Sequence, residues 1–98
     1  TYGCTVATNA ILEDFVFMNT GSDVGHDTII GKYSTIMPSV NISGCCEIGE
    51  CVLFGTKASI IPGKKVGNKS TIGAGAVVFR DIPEKVTVLG NPGKVFKF

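Results

Sequence analysis

The chain reads as an all-β protein: one strand wound into a triangular prism of about four coils, closed by a C-terminal tail. Three observations predict this. Stepping by six from Val6 gives Val6, Leu12, Met18, Val24, Ile30, Ile36, Ile42, Ile48, Phe54, Ile60, Val66, Ile72 and Val78, all apolar, with no slip of register. Four residues after each of the first twelve come Ala10, Val16, Ser22, Thr28, Ser34, Val40, Cys46, Val52, Ala58, Lys64, Ser70 and Ala76, which are small or β-branched except Lys64. Glycine is frequent at 13 residues and tryptophan is absent, which suits many tight turns around a narrow interior.

The period itself selects the architecture. Six is not a multiple of 3.6, so the pattern is not that of an amphipathic helix. It is a multiple of two, so each segment can be a short strand with alternating faces. Glycine or another small residue follows many of the apolar positions, as at Ala7, Gly25, Gly31, Ser43, Gly49, Gly55, Gly67 and Gly73. Each hexad thus carries a turn, and three hexads form one coil. Stacking every third hexad gives three interior columns: Val6, Val24, Ile42, Ile60, Val78; Leu12, Ile30, Ile48, Val66; and Met18, Ile36, Phe54, Ile72. Four coils at ~4.8 Å each would stand roughly 20 Å tall. Residues 1–82 are therefore expected to form the coiled domain. After Val78 the repeat fades. Residues 79–98 read as a turn, a strand over Val86–Leu89, a Gly90-Asn91-Pro92-Gly93 turn and a last short strand, with 83–98 capping the open end. The chain begins at Thr1, inside the repeat and without a visible cap, so a longer parent protein is expected.

Composition narrows the function. The net charge is +1 with Lys and Arg dispersed, which leaves no electrostatic footprint for nucleic acid or an anionic membrane. There is no apolar run long enough to span a bilayer as a helix and no signal-peptide pattern, so the chain reads as soluble and cytoplasmic. Cys4, Cys45, Cys46 and Cys51 read as reduced thiols. Cys46, and Cys4 one hexad before the ladder begins, fall at inward positions. Cys45 and Cys51 fall nearer the outside, and the vicinal pair Cys45–Cys46 leaves a redox reading open. No CxxC pair or His partner suggests zinc. Lys64 is long and charged in an inward slot: either its corner opens and the lysine snorkels, or the coil is locally distorted.

His26 is the only histidine. It lies two residues after the ladder position Val24, hence near a corner, with Gly44 one coil above and Thr8 one coil below. Asp27 follows it, and Asn19 lies near the preceding corner. A histidine with a carboxylate to orient it and amide donors nearby suits general-base catalysis of acyl transfer. Spacing alone also leaves open a surface histidine at a turn, and for Asn19 a polar cap.

The unbroken hexads over about residues 6–82 resemble the hexapeptide-repeat acyltransferases, which implies a left-handed parallel β-helix. Residues Asn19-Thr20-Gly21-Ser22-Asp23-Val24-Gly25-His26-Asp27-Thr28-Ile29-Ile30-Gly31 are similar to the segment around the catalytic histidine of sialic acid O-acetyltransferases and bacillosamine-type UDP-amino-sugar N-acetyltransferases. Ile72-Gly73-Ala74-Gly75-Ala76-Val77-Val78 through Gly90-Asn91-Pro92 is similar to tails across the superfamily. The resemblance implies acetyl-CoA as co-substrate, no metal, a homotrimer, and a sugar or nucleotide-sugar acceptor. It implies His26 as the base, supported by Asp27 where bacillosamine-type enzymes carry the longer Glu, with Asn19 orienting His26 or the acceptor. The Gly44 N–H would stabilise the oxyanion. Thr35, Thr56, Gly73 and Ala74 would line the acetyl-CoA groove between neighbouring prisms. Lys64 and Lys65, with Lys69 and Arg80, would either meet CoA phosphates or remain solvated surface charge. In this family an N-terminal βαβ-type domain, absent from these 98 residues, largely selects the acceptor.

Three rivals use the same prism. A γ-type carbonic anhydrase needs three histidines. A non-catalytic trimeric scaffold needs no His26–Asp27–Gly44 trio. A serine- or maltose-type O-acetyltransferase shares the C-terminal motif but carries other residues around its histidines.

Overall fold

The computed structural model describes residues 3–97. Thirteen two-residue strands, from Thr5–Val6 to Val77–Val78, recur once per hexad and stack into three parallel sheets. Every third strand pairs in register: Val6, Val24, Ile42, Ile60 and Val78 on the first face; Leu12, Ile30, Ile48 and Val66 on the second; Met18, Ile36, Phe54 and Ile72 on the third. These are the columns the period predicts. Met18 and every later ladder residue are buried, with Phe54 the largest fully buried side chain. Val6 and Leu12 head the first two columns, paired with Val24 and Ile30, and are 45% and 37% exposed.

The corners have a single cause. Gly3, Asn9, Phe15, Gly21, Asp27, Tyr33, Ser39, Cys45, Cys51, Lys57, Gly63, Lys69 and Gly75 all have positive φ, between 56° and 77°. One left-handed residue per hexad turns the chain from face to face. Several are bulky L-residues, for which this conformation costs about 1–2 kcal/mol each. The cost is offset because each corner amide from Asp27 to Gly75 donates to the coil below, as Asp27 N–H does to the Thr8 carbonyl at 3.1 Å and Cys45 N–H to the His26 carbonyl at 2.8 Å.

The inward small positions have a polar function that size alone does not suggest. Ser22, Thr28, Ser34 and Ser70 are fully buried. Each hydroxyl donates to a carbonyl and accepts an N–H from the next coil. Thr28 Oγ1 donates to the Ser43 carbonyl at 2.9 Å and accepts from Cys46 N–H at 3.2 Å; Ser34 joins the Gly49 carbonyl and Val52 N–H in the same way. The thiol of Cys4 donates to the Asn19 carbonyl and that of Cys46 to the Ile61 carbonyl. These small residues stitch successive coils from inside, and no buried side-chain N or O among the described residues lacks a partner.

Beyond Val78 the winding continues. Ile82 bridges to Val66 and Val88 pairs with Ile72, each two positions short of three full hexads. The shortening falls at the corner 79–81, where the Asp81 carboxylate accepts the Lys65 N–H at 3.0 Å and regular coils use a backbone carbonyl. A fifth coil is thus completed. The tail strand falls at Thr87–Leu89, and Lys94–Phe96 pairs with it antiparallel. Lys64 sits beneath the shortened corner and is half-buried, so its slot is partly open rather than sealed. No helix among the described residues is long and apolar enough to cross a membrane.

Ile42 is 1% exposed between Val24 and Ile60. An unpaired carboxylate there costs several kcal/mol or more, against a total stability of about 5–15 kcal/mol for a natural domain. Ile42→Asp is expected to abolish the cooperative thermal transition seen by circular dichroism; a transition within a few degrees of wild type would contradict the column assignment.

Candidate active site

The corner after the first face carries Thr8-Asn9, His26-Asp27, Gly44-Cys45 and Pro62-Gly63 on successive coils. Asp27 takes φ 57°, which turns its carboxylate back toward the preceding residue. His26 Nδ1 lies 3.1 Å from Asp27 Oδ2. A carboxylate only accepts hydrogen bonds, so Nδ1 is the donor and Nε2 keeps the lone pair. The Nε2 end of the ring packs over Gly44: a Cβ on Gly44 would stand 2.8 Å from Nε2 and 3.0 Å from Cδ2 and Cε1. Both side chains are open to solvent, at 64% and 54% exposure.

Glycines clear the space. A Cβ on Gly25 would collide with the Gly44 nitrogen, so Gly25 lets the two coils close on each other. The Gly44 N–H makes no hydrogen bond with any described residue, while its carbonyl accepts from Gly63 N–H at 3.0 Å. The corner therefore presents a lone pair on Nε2 and an unused amide donor on a residue without a side chain. Thr28 holds these parts in register, because its two hydrogen bonds bracket Gly44 and Cys45 from within.

The other candidates lie elsewhere on the prism. Asn19 is half-buried at the preceding corner, separated from His26 by the strand Asp23–Val24. Its N–H donates to the Ile36 carbonyl and its own carbonyl accepts from Cys4. Thr56 and Ala74 occupy that same corner two and three coils on, and the Thr56 carbonyl accepts the Gly75 N–H. Gly73 abuts the tail: an added Cβ would stand 2.6 Å from Leu89 Cδ2. Thr35 is on the third face, paired with Phe17 and Leu53. Lys64 follows Gly63 beyond the His26 corner. Lys65 is exposed on the second face, 3.8 Å from Glu47, a separation at which a surface pair contributes about 0–1 kcal/mol. The chain thus unites His26, Asp27 and Gly44, and leaves Asn19, Thr56, Gly73 and Ala74 around a different corner and Thr35 on the third face.

The cysteines divide as their slots require. Cys46 is fully buried, and burial pushes its thiol up from the usual range. Its neighbour Cys45 is exposed and sits beside Asp27 in the adjacent coil. All four thiols are free.

No family model matches the chain. It is 31% identical over 103 residues to the serine acetyltransferase of Synechococcus elongatus, covering 95% of this chain and 42% of that protein. It superposes on the crystal structure of Neisseria gonorrhoeae serine acetyltransferase with a TM-score of 0.90 at 30% identity, covering 96% of this chain and 41% of the other. On PerB of Caulobacter crescentus, solved with CoA and GDP-perosamine, the TM-score is 0.71 at 25% identity, covering 97% and 55%. The fold is thus a left-handed parallel β-helix. The chain belongs to the hexapeptide-repeat acyltransferase superfamily. It spans about half or less of the length of the curated relatives it matches.

Thr28→Val keeps the shape and removes both internal hydrogen bonds, leaving the Cys46 amide unpaired. It is expected to cost about 1–3 kcal/mol, read as a lowered urea midpoint. Gly44→Ala is expected to force the imidazole aside and break its contact with Asp27. A Gly44→Ala structure with an unmoved imidazole would refute the close packing of the two coils.

Proposed function

We propose that this chain is the β-helical catalytic part of an acetyl-CoA-dependent acetyltransferase, with His26 as general base. The observation that carries the proposal is the His26–Asp27–Gly44 corner, where an imidazole hydrogen-bonded through Nδ1 to Asp27 sets its Nε2 end beside a residue whose amide is unused. The acceptor's hydroxyl or amine gives its proton to Nε2 as its oxygen or nitrogen attacks the acetyl carbonyl. The carbonyl oxygen gains negative charge, which the Gly44 N–H stabilises. Collapse of the tetrahedral species expels the CoA thiolate, which takes the proton back from the imidazolium. Asp27 stabilises that imidazolium and holds the ring in place. Metal participation is not part of this step.

A base so exposed needs a partner surface to exclude water. The outer faces supply one: Phe15, 75% exposed, stacks on Tyr33 at 5.3 Å, flanked by exposed Ile11, Phe17, Ile29 and Leu53. We assign these faces to contacts within a homotrimer. The groove between two prisms would then bring one subunit's His26 corner to its neighbour's Thr35, Thr56, Gly73 and Ala74, with acetyl-CoA along the backbone, Asn19 at the acceptor, and Lys64 and Lys65 within reach of CoA phosphates. Four free thiols suit a reducing cytoplasm.

For the acceptor we favour a sugar or nucleotide-sugar, on the resemblance of residues 19–31 and the likeness to PerB, whose structure holds CoA and GDP-perosamine. A serine hydroxyl is the second reading, favoured by the serine acetyltransferases that match nearly the whole chain. A non-catalytic scaffold leaves the trio without a role.

Thiol release from acetyl-CoA, measured with amino-sugar nucleotides, sialic acids and serine on the full-length protein, tests all three. Release with one acceptor class identifies the reaction; release with none favours the scaffold. His26→Ala is expected to lower turnover at least ~100-fold, the lower range for a positioned base, with the oligomer unchanged by light scattering. Unchanged turnover would exclude His26 as the base.

A further inference from the structure

The corner that holds His26 also holds a third ligating group. One ring nitrogen of His26, one carboxylate oxygen of Asp27 and Cys45 Sγ all lie within 4.8 Å of one another. We propose that these three residues form a site for a thiophilic divalent cation of the Zn²⁺ type, and that the cation switches the corner off. The inhibitory consequence, though not the site itself, rests on His26 being the base.

The backbone fixes the arrangement. Asp27 and Cys45 are stacked corner residues with φ of 57° and 60°. Cys45 N–H donates to the His26 carbonyl at 2.8 Å, and Asp27 N–H to the Thr8 carbonyl. The two ligands therefore leave the prism at the same corner, one coil apart, with the imidazole between the coils. A tetrahedral zinc with bonds of about 2.0–2.3 Å needs neighbouring ligand atoms about 3.3–3.6 Å apart. The His26–Asp27 separation of 3.1 Å already lies close to this, and side-chain rotation at exposed Cys45 supplies the remainder.

Ligand chemistry selects the ion. A thiolate and an imidazole favour Zn²⁺, Co²⁺ or Cu⁺ over Mg²⁺ or Ca²⁺. Three protein ligands leave one position for water. Cys45 must lose its proton, so binding releases one proton to solvent and strengthens as pH rises. Buried Cys46 and distant Cys51 cannot substitute: the first points inward and the second occupies another corner.

Binding removes the base whichever ring nitrogen is used. Neutral imidazole has one lone pair on nitrogen. If the cation takes Nε2, no proton can be accepted there. If it takes Nδ1, the ring proton moves to Nε2 and the Asp27 hydrogen bond is replaced by a metal bond. Removing the cation restores the lone pair, so inhibition is reversible by a chelator.

The test uses the whole reduced protein, freed of reductant and kept anaerobic. Co²⁺ is added to wild type, Cys45→Ser and Cys51→Ser, and Zn²⁺ is used to displace it. Wild type and Cys51→Ser are expected to bind one Co²⁺ per chain with a thiolate-to-cobalt charge-transfer band, removed by Zn²⁺. Cys45→Ser is expected to lose the band and bind about 100-fold more weakly, the upper range for a lost supporting group and a minimum for a lost ligand. At ten times its Kd, Zn²⁺ is expected to lower wild-type acetyl transfer about 10-fold and to leave most of the Cys45→Ser turnover, with EDTA restoring both. Absence of the band in wild type, or its persistence in Cys45→Ser, overturns the site whatever the turnover. A Cys45-dependent band with turnover unaffected by Zn²⁺ upholds the site and overturns the base assignment of His26.

Discussion

The in-register stacking of every third hexad is the constraint on which everything else here depends. Each strand is only two residues long and could not stand alone. Pairing of like positions across successive coils makes long interior columns from these fragments. It also makes three corners, each a vertical file of turn residues. Chemistry in this protein is therefore read up and down a corner rather than along the sequence.

That geometry explains why the candidate corner needs so few special residues. His26 and Asp27 are sequence neighbours, and the left-handed conformation of Asp27 brings its carboxylate back onto the imidazole. Gly44 and Cys45 arrive from the coil above. Two absent side chains, on Gly25 and Gly44, let the coils close and leave an amide uncovered. Beneath them the Thr28 hydroxyl ties the two coils together from the interior. The inside of the prism is thus part of the corner's support, and the proposed trimer would use the outer apolar faces around Phe15 and Tyr33.

Much of this was legible from spacing. The three columns, the corner position of His26 and its neighbour Gly44 follow from counting hexads and then coils, because parallel pairing at a fixed period leaves no freedom in register. Cys45 falls three hexads after Asp27, so its approach to the histidine was countable too; a search for short CxxC-type spacings passes over ligands that a solenoid gathers from different coils. Other features were not countable. Serine and threonine in the inward slots look merely small until the carbonyls they reach are seen. Residues 79–89 break the period by two, and only the pairing of Ile82 with Val66 shows that the coil continues.

By itself the sequence determined the columns and the corner that carries the histidine, since a period of six with one turn per hexad assigns each ladder residue to one face of the prism. The tertiary structure decided what depends on distance and direction rather than on period. It decided that Nε2, not Nδ1, is the free nitrogen and that the Nε2 end of the ring packs on Gly44. It decided that Ile82 and Val88 are enclosed. The reason is that a repeat specifies which residues stack, while the orientation of side chains within a stack is set by the left-handed corners and by hydrogen bonds between coils.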